Sequence, residues 1–176
     1  MPKLFALATA FVAALSGVSA HYQLTYPAPR GFKESTEPTA PCGGFDSVSQ
    51  QRTQFPLKNG FVEINSEHPS YTYEVKLIMG SNPSTADFTG SNATTVATGQ
   101  RNYPEQACLP IDLGNATSVS AGTNATIQVL YNGGDGNLYQ CTDVTFADNP
   151  SNFNTSVCVN ADGSNPLSNS TDTSSA

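Results

Sequence analysis

Three stretches of this 176-residue chain alternate apolar and polar side chains with a period of two. Such a pattern only makes sense for paired strands with one buried face. Tyr73, Val75, Leu77 and Met79 alternate with Thr72, Glu74, Lys76 and Ile78. Ile127, Val129 and Tyr131 alternate with Thr126, Gln128 and Leu130. Between Leu138 and Phe146 the pattern puts Leu138, Val144 and Phe146 on one face and Tyr139, Cys141 and Asp143 on the other. Shorter candidates are Gln23–Tyr26, Phe61–Asn65 and Ser118–Ser120. Asn132-Gly133-Gly134-Asp135-Gly136 joins two of the strands with residues that tolerate positive φ, the chemistry of a hairpin turn. No segment carries a helical amphipathic pattern, and twelve Pro with fourteen Gly break up long helices. The expected fold is all-β, an immunoglobulin-like antiparallel β-sandwich in one domain.

The first twenty residues read as a signal peptide. Lys3 supplies the positive start, Leu4 to Leu15 the apolar run, and Val18-Ser19-Ala20 the small-x-small cleavage site. Twelve apolar residues are too few to span a bilayer, which takes about 20. Cleavage after Ala20 shortens the chain from 176 to 156 residues, starts it at His21, and takes the formal charge from −7 to −8 with the loss of Lys3. In an oxidising compartment the even set Cys42, Cys108, Cys141 and Cys158 implies two disulfides. Three pairings are possible. Cys42–Cys158 with Cys108–Cys141 is favoured, because the second pair could tie two candidate strands. No CxxC spacing supports a thiolate metal site. Five N-x-S/T sequons, at Asn92, Asn115, Asn124, Asn154 and Asn169, suit a glycosylated surface. The domain is therefore read as 21–160. The Ser/Thr/Asn-rich tail 161–176 is expected to be disordered. It resembles the polar spacer before a glycolipid anchor, without the hydrophobic tail such a signal needs.

Composition narrows the function. Charged residues make up only 12% of the chain, half the usual ~25%, so its polarity comes from Ser, Thr, Asn and Gly. Seven basic against fourteen acidic residues argue against a nucleic-acid partner. There is no Trp to form a flat sugar-stacking platform and there are only two histidines. Glu63, Glu67 and Glu74 could be invoked as glycosidase acids, but nothing fixes a pair at the needed separation. Nucleophile elbows, phosphate loops and HExxH are missing. Arg30-Gly31 reads as structural, with Arg30 pairing a carboxylate under the first strand and Gly31 serving a turn.

The residue exposed by cleavage is a histidine. An N-terminal His offers its α-amino group and ring Nδ1 to one metal, and a second imidazole completes three nitrogens, a histidine brace. Cu(II), which prefers tetragonal N/O ligation and tops the divalent affinity order, suits such a site. His68, in Glu67-His68-Pro69-Ser70, is the only other imidazole. Pro69 stiffens that loop and keeps His68 out of the helical region. The bland alternative is an incidental N-terminal residue and a solvated loop histidine.

The opening His21-Tyr22-Gln23-Leu24-Thr25-Tyr26-Pro27-Ala28-Pro29-Arg30-Gly31 resembles the start of the fungal copper acquisition factor family. So do Pro41-Cys42-Gly43-Gly44, the His68 loop, Asn132-Gly133-Gly134 and Leu138-Tyr139-Gln140-Cys141-Thr142-Asp143-Val144. The likeness covers most of residues 21–160. It implies secretion, often with a cell-surface anchor, an immunoglobulin-like sandwich and one Cu(II) per chain. The ligands it implies are the amine and ring of His21, His68, and Asp143 of the Cys-x-Asp strand. Lytic polysaccharide monooxygenases place an axial Tyr or Phe where this family has the carboxylate. The family is regarded as handling copper without oxidative cleavage. A hard anionic oxygen favours Cu(II) over Cu(I), lowers the reduction potential and fills space oxygen would need. Tyr139, on the same face, is read as ordinary packing beside that site.

Three readings compete on the residues: a copper-binding protein without turnover, a copper monooxygenase acting on polysaccharide, and a wall or adhesion module with an incidental His21. The first is preferred, with no catalytic residues. Its partners would be the copper ion and a cell-surface copper transporter or reductase, and the protein would be a monomer.

Overall fold

The computed structural model describes residues 21–168. The expected signal peptide, residues 169–176 and the Asn169 sequon lie outside them. Eight strands form two sheets. β1 (Tyr22–Tyr26), β3 (Phe61–Ser66) and β6 (Glu105–Pro110) make a three-stranded sheet in the order β1-β3-β6. β2 (Thr53–Pro56), β4 (Tyr71–Met79), β5 (Ala93–Arg101), β7 (Asn124–Asn132) and β8 (Asn137–Ala147) make a five-stranded sheet in the order β2-β8-β7-β4-β5. Among the described residues there is no α-helix, only short 3-10 turns. The immunoglobulin-like all-β sandwich read from the alternation is the observed class.

The alternation places side chains as expected. Val75, Leu77, Ile127, Val129, Tyr131, Leu138, Val144 and Phe146 point into the space between the sheets, where Leu24, Ile64 and Leu109 meet them. The Asn132–Asn137 hairpin keeps Tyr131 opposite Leu138 and Thr126 opposite Asp143. Three features depart from the reading. β2 pairs parallel to β8. A long loop, residues 27–52, carries the chain from β1 in one sheet to β2 in the other. Ser118–Ser120 is not a strand: Ser118 sits at φ 64° in a polar turn. The edge strands β2, β5 and β6 are unforeseen: β2 has four residues, β5 is Thr-rich with only Val96 buried, and β6 buries Ala107, Cys108 and Leu109 in a row, so none shows apolar alternation.

The disulfides are Cys42–Cys141 and Cys108–Cys158, not the favoured pairing. The reason lies in the faces of the strands. Cys141 points away from the sandwich interior and joins Cys42, Ile78 and Phe88 in a small second core beneath the 27–52 loop. Cys108 lies on the outer face of the other sheet, where the segment carrying Cys158 covers it. A sheet therefore lies between Cys108 and Cys141. Peptide mapping without reduction is expected to recover fragments linked 42–141 and 108–158; fragments linked 108–141 would contradict the fold.

The second bond also anchors the segment that follows it. Beyond Cys158 the Ala161 amide donates to the Gln106 carbonyl at 2.8 Å, Asn160 and Ser164 close a turn, and Leu167 packs against the core. Residues 161–168 thus form turns held against β6 and the core. Of the described sequon residues, Asn92, Asn115 and Asn154 are exposed, while Asn124 is half-buried with its amide bonded to Ser81 and Thr145.

Candidate metal centre

His21 and His68 lie at the same end of the three-stranded sheet. The β1–β3 ladder pairs Tyr22 with Ser66, and the Glu67 amide continues it by donating to the His21 carbonyl at 3.0 Å. The two histidines therefore emerge from neighbouring strands one position apart. Each is held from below. The Ser66 hydroxyl sits within hydrogen-bond reach of the His68 amide and carbonyl and of the Tyr131 phenol. Tyr131 is stacked between Tyr22 and Tyr71, with ring centroids 4.7 Å apart on both sides. Burial pushes the Tyr22 and Tyr131 phenols above their ordinary range, so this floor stays neutral.

The His68 ring lies against the turn of the β7–β8 hairpin. A Cβ at Gly133 would run into that ring, which explains glycine there better than turn geometry does. His68 Nε2 is buried and has no hydrogen-bond partner. Asp135 Oδ2, the nearest carboxylate oxygen, is 3.6 Å away, beyond hydrogen-bond range. A buried nitrogen without a partner is uncommon because it loses its bonds to water and gains nothing. It fits a nitrogen kept for a metal.

His21 is surrounded by carboxylates. Its Nδ1 lies 2.8 Å from Glu37 Oε2, and its Nε2 lies 3.8 Å from the exposed Glu34. Glu37 is fully buried at the end of a 3-10 turn on the 27–52 loop. Gln140 Nε2 donates to its other oxygen at 2.8 Å and also to the Tyr22 carbonyl, while Gln140 Oε1 accepts from the Leu24 amide. One amide from β8 thus locks β1, Glu37 and, through Glu37, the His21 ring. Burial raises the Glu37 carboxyl above its ordinary value, against the lowering effect of the His21 and Gln140 hydrogen bonds. Neither Glu34 nor Glu37 nor Asp135 was singled out from the sequence. Asp135 had one signal, its place directly after the Gly-Gly turn.

Asp143, expected as a ligand, is not brought to the histidines but lies in a buried ion pair with Arg30. It faces outward from β8, on the side opposite Gln140, under the 27–52 loop. Arg30 grips it with two bonds, Nε to Oδ2 and Nη2 to Oδ1, each 2.9 Å. The Ser49 amide donates to Oδ2 at 2.7 Å and the Thr126 hydroxyl to Oδ1 at 2.6 Å. Burial opposes its charge, but these bonds and the Arg30 charge prevail and hold its carboxyl below the ordinary range. The Arg30–carboxylate pairing read from the sequence is this pair. Tyr139 is half-buried on the same outward face.

Among the described residues no three His, Cys, Asp or Glu side chains form a closed metal cage. A brace needs only two side chains, because its third nitrogen is a main-chain amine that exists once the chain starts at His21. The donors at hand are imidazole nitrogens and carboxylate oxygens, a set suited to a borderline divalent ion such as Cu(II).

Residues 19–163 match the sequence model described as Copper acquisition factor BIM1-like. The chain is 37% identical to Copper acquisition factor BIM1 of Cryptococcus neoformans var. grubii over 165 residues, 89% of this chain and 75% of that one. It is 30% identical to the lytic polysaccharide monooxygenase-like protein X325 of Yarrowia lipolytica, covering 89% of this chain and 60% of that one. Among solved structures, a lytic polysaccharide monooxygenase, ScLPMO10B in complex with zinc, aligns over 72% of this chain and 73% of that one at 17% identity and TM-score 0.47. The matched span takes in both histidines, the Asn-Gly-Gly turn and all four cysteines, and the chain belongs to the BIM1-like family of copper acquisition factors.

Proposed function

We propose that this protein, exported and cleaved before His21, binds one Cu(II) outside the cell and passes it on without turning over a substrate. The observation that carries the reading is the buried, partnerless Nε2 of His68 beside the strand position of His21. The ligands are the His21 amine and Nδ1 and the His68 ring nitrogen. The carboxylate assigned to Asp143 from sequence is supplied instead by Asp135, the acid next to His68. Nδ1 of His21 exchanges its Glu37 contact for the metal, while Gln140 keeps Glu37 in place beside it. Exposed Glu34, Glu67 and Asp135 around the histidines make the approach acidic, which attracts a divalent cation. The receiver is a copper transporter or reductase at the cell surface.

Cu(II) titration of two forms tests this: one starting at His21, the other carrying a single extra N-terminal residue. The first is expected to take up one equivalent tightly. The second is expected to lose tight binding, since its α-amine has become an amide. Equal affinity would remove the brace. The name of the Yarrowia relative makes a monooxygenase the second reading. Sustained peroxide formation and release of oxidised oligosaccharide by the copper-loaded chain with a reductant would favour it; their absence supports copper handling.

A further inference from the structure

The outer face of the three-stranded sheet holds a second polar feature that the copper reading does not use. Tyr26, Glu63, Asn65, Gln106 and Cys108 share that face through the strand register. The segment after Phe153, pinned by Cys108–Cys158, folds over it. Between sheet and segment lies a cavity of about 380 Å³. Glu63 lines it, yet is only 4% exposed, and its Oε2 is buried with no hydrogen-bond partner. Asn65 and Gln106 are exposed along the same wall, and among the described residues neither side-chain amide has a hydrogen-bond partner. Tyr26, Val157 and Val159 complete the lining. Tyr26 ends β1, five residues from His21, so the cavity is about 16 Å along the strand from the candidate metal centre.

The geometry points to a binding site for a primary alkylammonium group. Such a head has three N–H donors, and the cavity offers three oxygen acceptors: the Glu63 carboxyl and the side-chain carbonyls of Asn65 and Gln106. The short alkyl stem suits the valine and tyrosine walls. The volume falls within the range of small-molecule sites, about 300–1,000 Å³. A chain with formal charge −7 also draws cations towards it. Burial pushes the Glu63 carboxyl up to about 8, against a lowering backbone hydrogen bond from Val159. The groups facing it are Thr25 and Tyr26 from β1, Gln106 and Cys108 from β6, and Val157 and Val159 from the covering segment. None is charged, so no built-in cation satisfies Glu63. An ammonium head would.

Calorimetric titration of the metal-free protein tests this. n-Butylamine and Nα-acetyl-lysine amide present the same head as a free amine and as a lysyl side chain, and n-butanol is the neutral control. At least one amine is expected to saturate a single site, with n-butanol at least tenfold weaker. The tighter amine identifies the source. Because the complex holds Glu63 charged, a proton competes below its folded value. Affinity should therefore rise from about pH 6 to about pH 8, by up to tenfold per unit. Glu63→Gln should weaken the amine at least tenfold. Should that variant lose its cooperative unfolding transition, Gln106→Ala at the exposed wall decides, with an expected weakening of about threefold. Neither amine saturating, n-butanol binding as tightly, or unchanged affinity in the deciding variant would each overturn the site.

Discussion

Asp143→Asn is expected to cost about 3–5 kcal/mol of stability, since it leaves the Arg30 guanidinium buried without its counter-charge. In a domain of this size that lowers the melting temperature by roughly 10 °C. The Arg30 and Asp143 side chains are 2% and 0% exposed, so solvent hardly screens the pair. Its bonds also fasten the 27–52 loop: Arg30 reaches the Asp46 carbonyl and Asp143 the Ser49 amide. The pH dependence has a definite sign. A carboxyl whose folded value lies below its unfolded one stabilises above the unfolded value, about 3.9 for Asp, and loses that contribution as pH falls through the folded one. The wild type should therefore lose stability below about pH 4, and Asp143→Asn should flatten that limb. Thermal melts against pH check this. Cu(II) paramagnetic resonance of the folded variant should match the wild type. A changed spectrum would return Asp143 to the ligand set and contradict the position seen here.

His68→Ala should weaken Cu(II) binding by about 100-fold or more, because losing a ligand costs at least what losing its outer partners costs. The fold should hardly notice: the ring is half-buried, its Nε2 makes no hydrogen bond, and the Ser66 bonds engage the His68 backbone, which the substitution keeps. Gly133→Ala should weaken binding too, through the ring it would displace, while leaving both imidazoles in the chain. Asp135→Asn tests the carboxylate. It should raise the copper reduction potential, since an amide oxygen stabilises Cu(II) less than a carboxylate does. Titration, paramagnetic resonance and voltammetry of the three variants read these effects. Unchanged affinity in His68→Ala would end the two-histidine site.

Much of this fold is local and was legible. Period-two alternation in 72–79, 126–131 and 138–146 marks which side chains enter the core, because a strand's faces alternate whatever lies across them. Three of the edge strands escaped: β2 has four residues, β5 buries little, and β6 buries Ala107, Cys108 and Leu109 in a row, so none leaves an alternating apolar rhythm. The two histidines were legible as well, since one follows the cleavage motif and no other imidazole competes with His68.

Alternation alone fixes that Cys141 and Asp143 share one face and Gln140 takes the other. It does not say what covers the outward face. In this protein the 27–52 loop covers it, and that cover turns Asp143 into the buried partner of Arg30 and gives Cys141 to Cys42. The inward face instead lets Gln140 reach Glu37 and the backbone of β1, setting the ring of His21. Asp135 joins His68 only because a glycine turn lets the imidazole lie against the hairpin. Residue types and spacing thus determined the central strands, the two candidate histidines and the family. Disulfide partners and the acids beside the candidate metal centre depend on contacts between residues far apart in the chain, and only packing the loop and sheets against one another decides those.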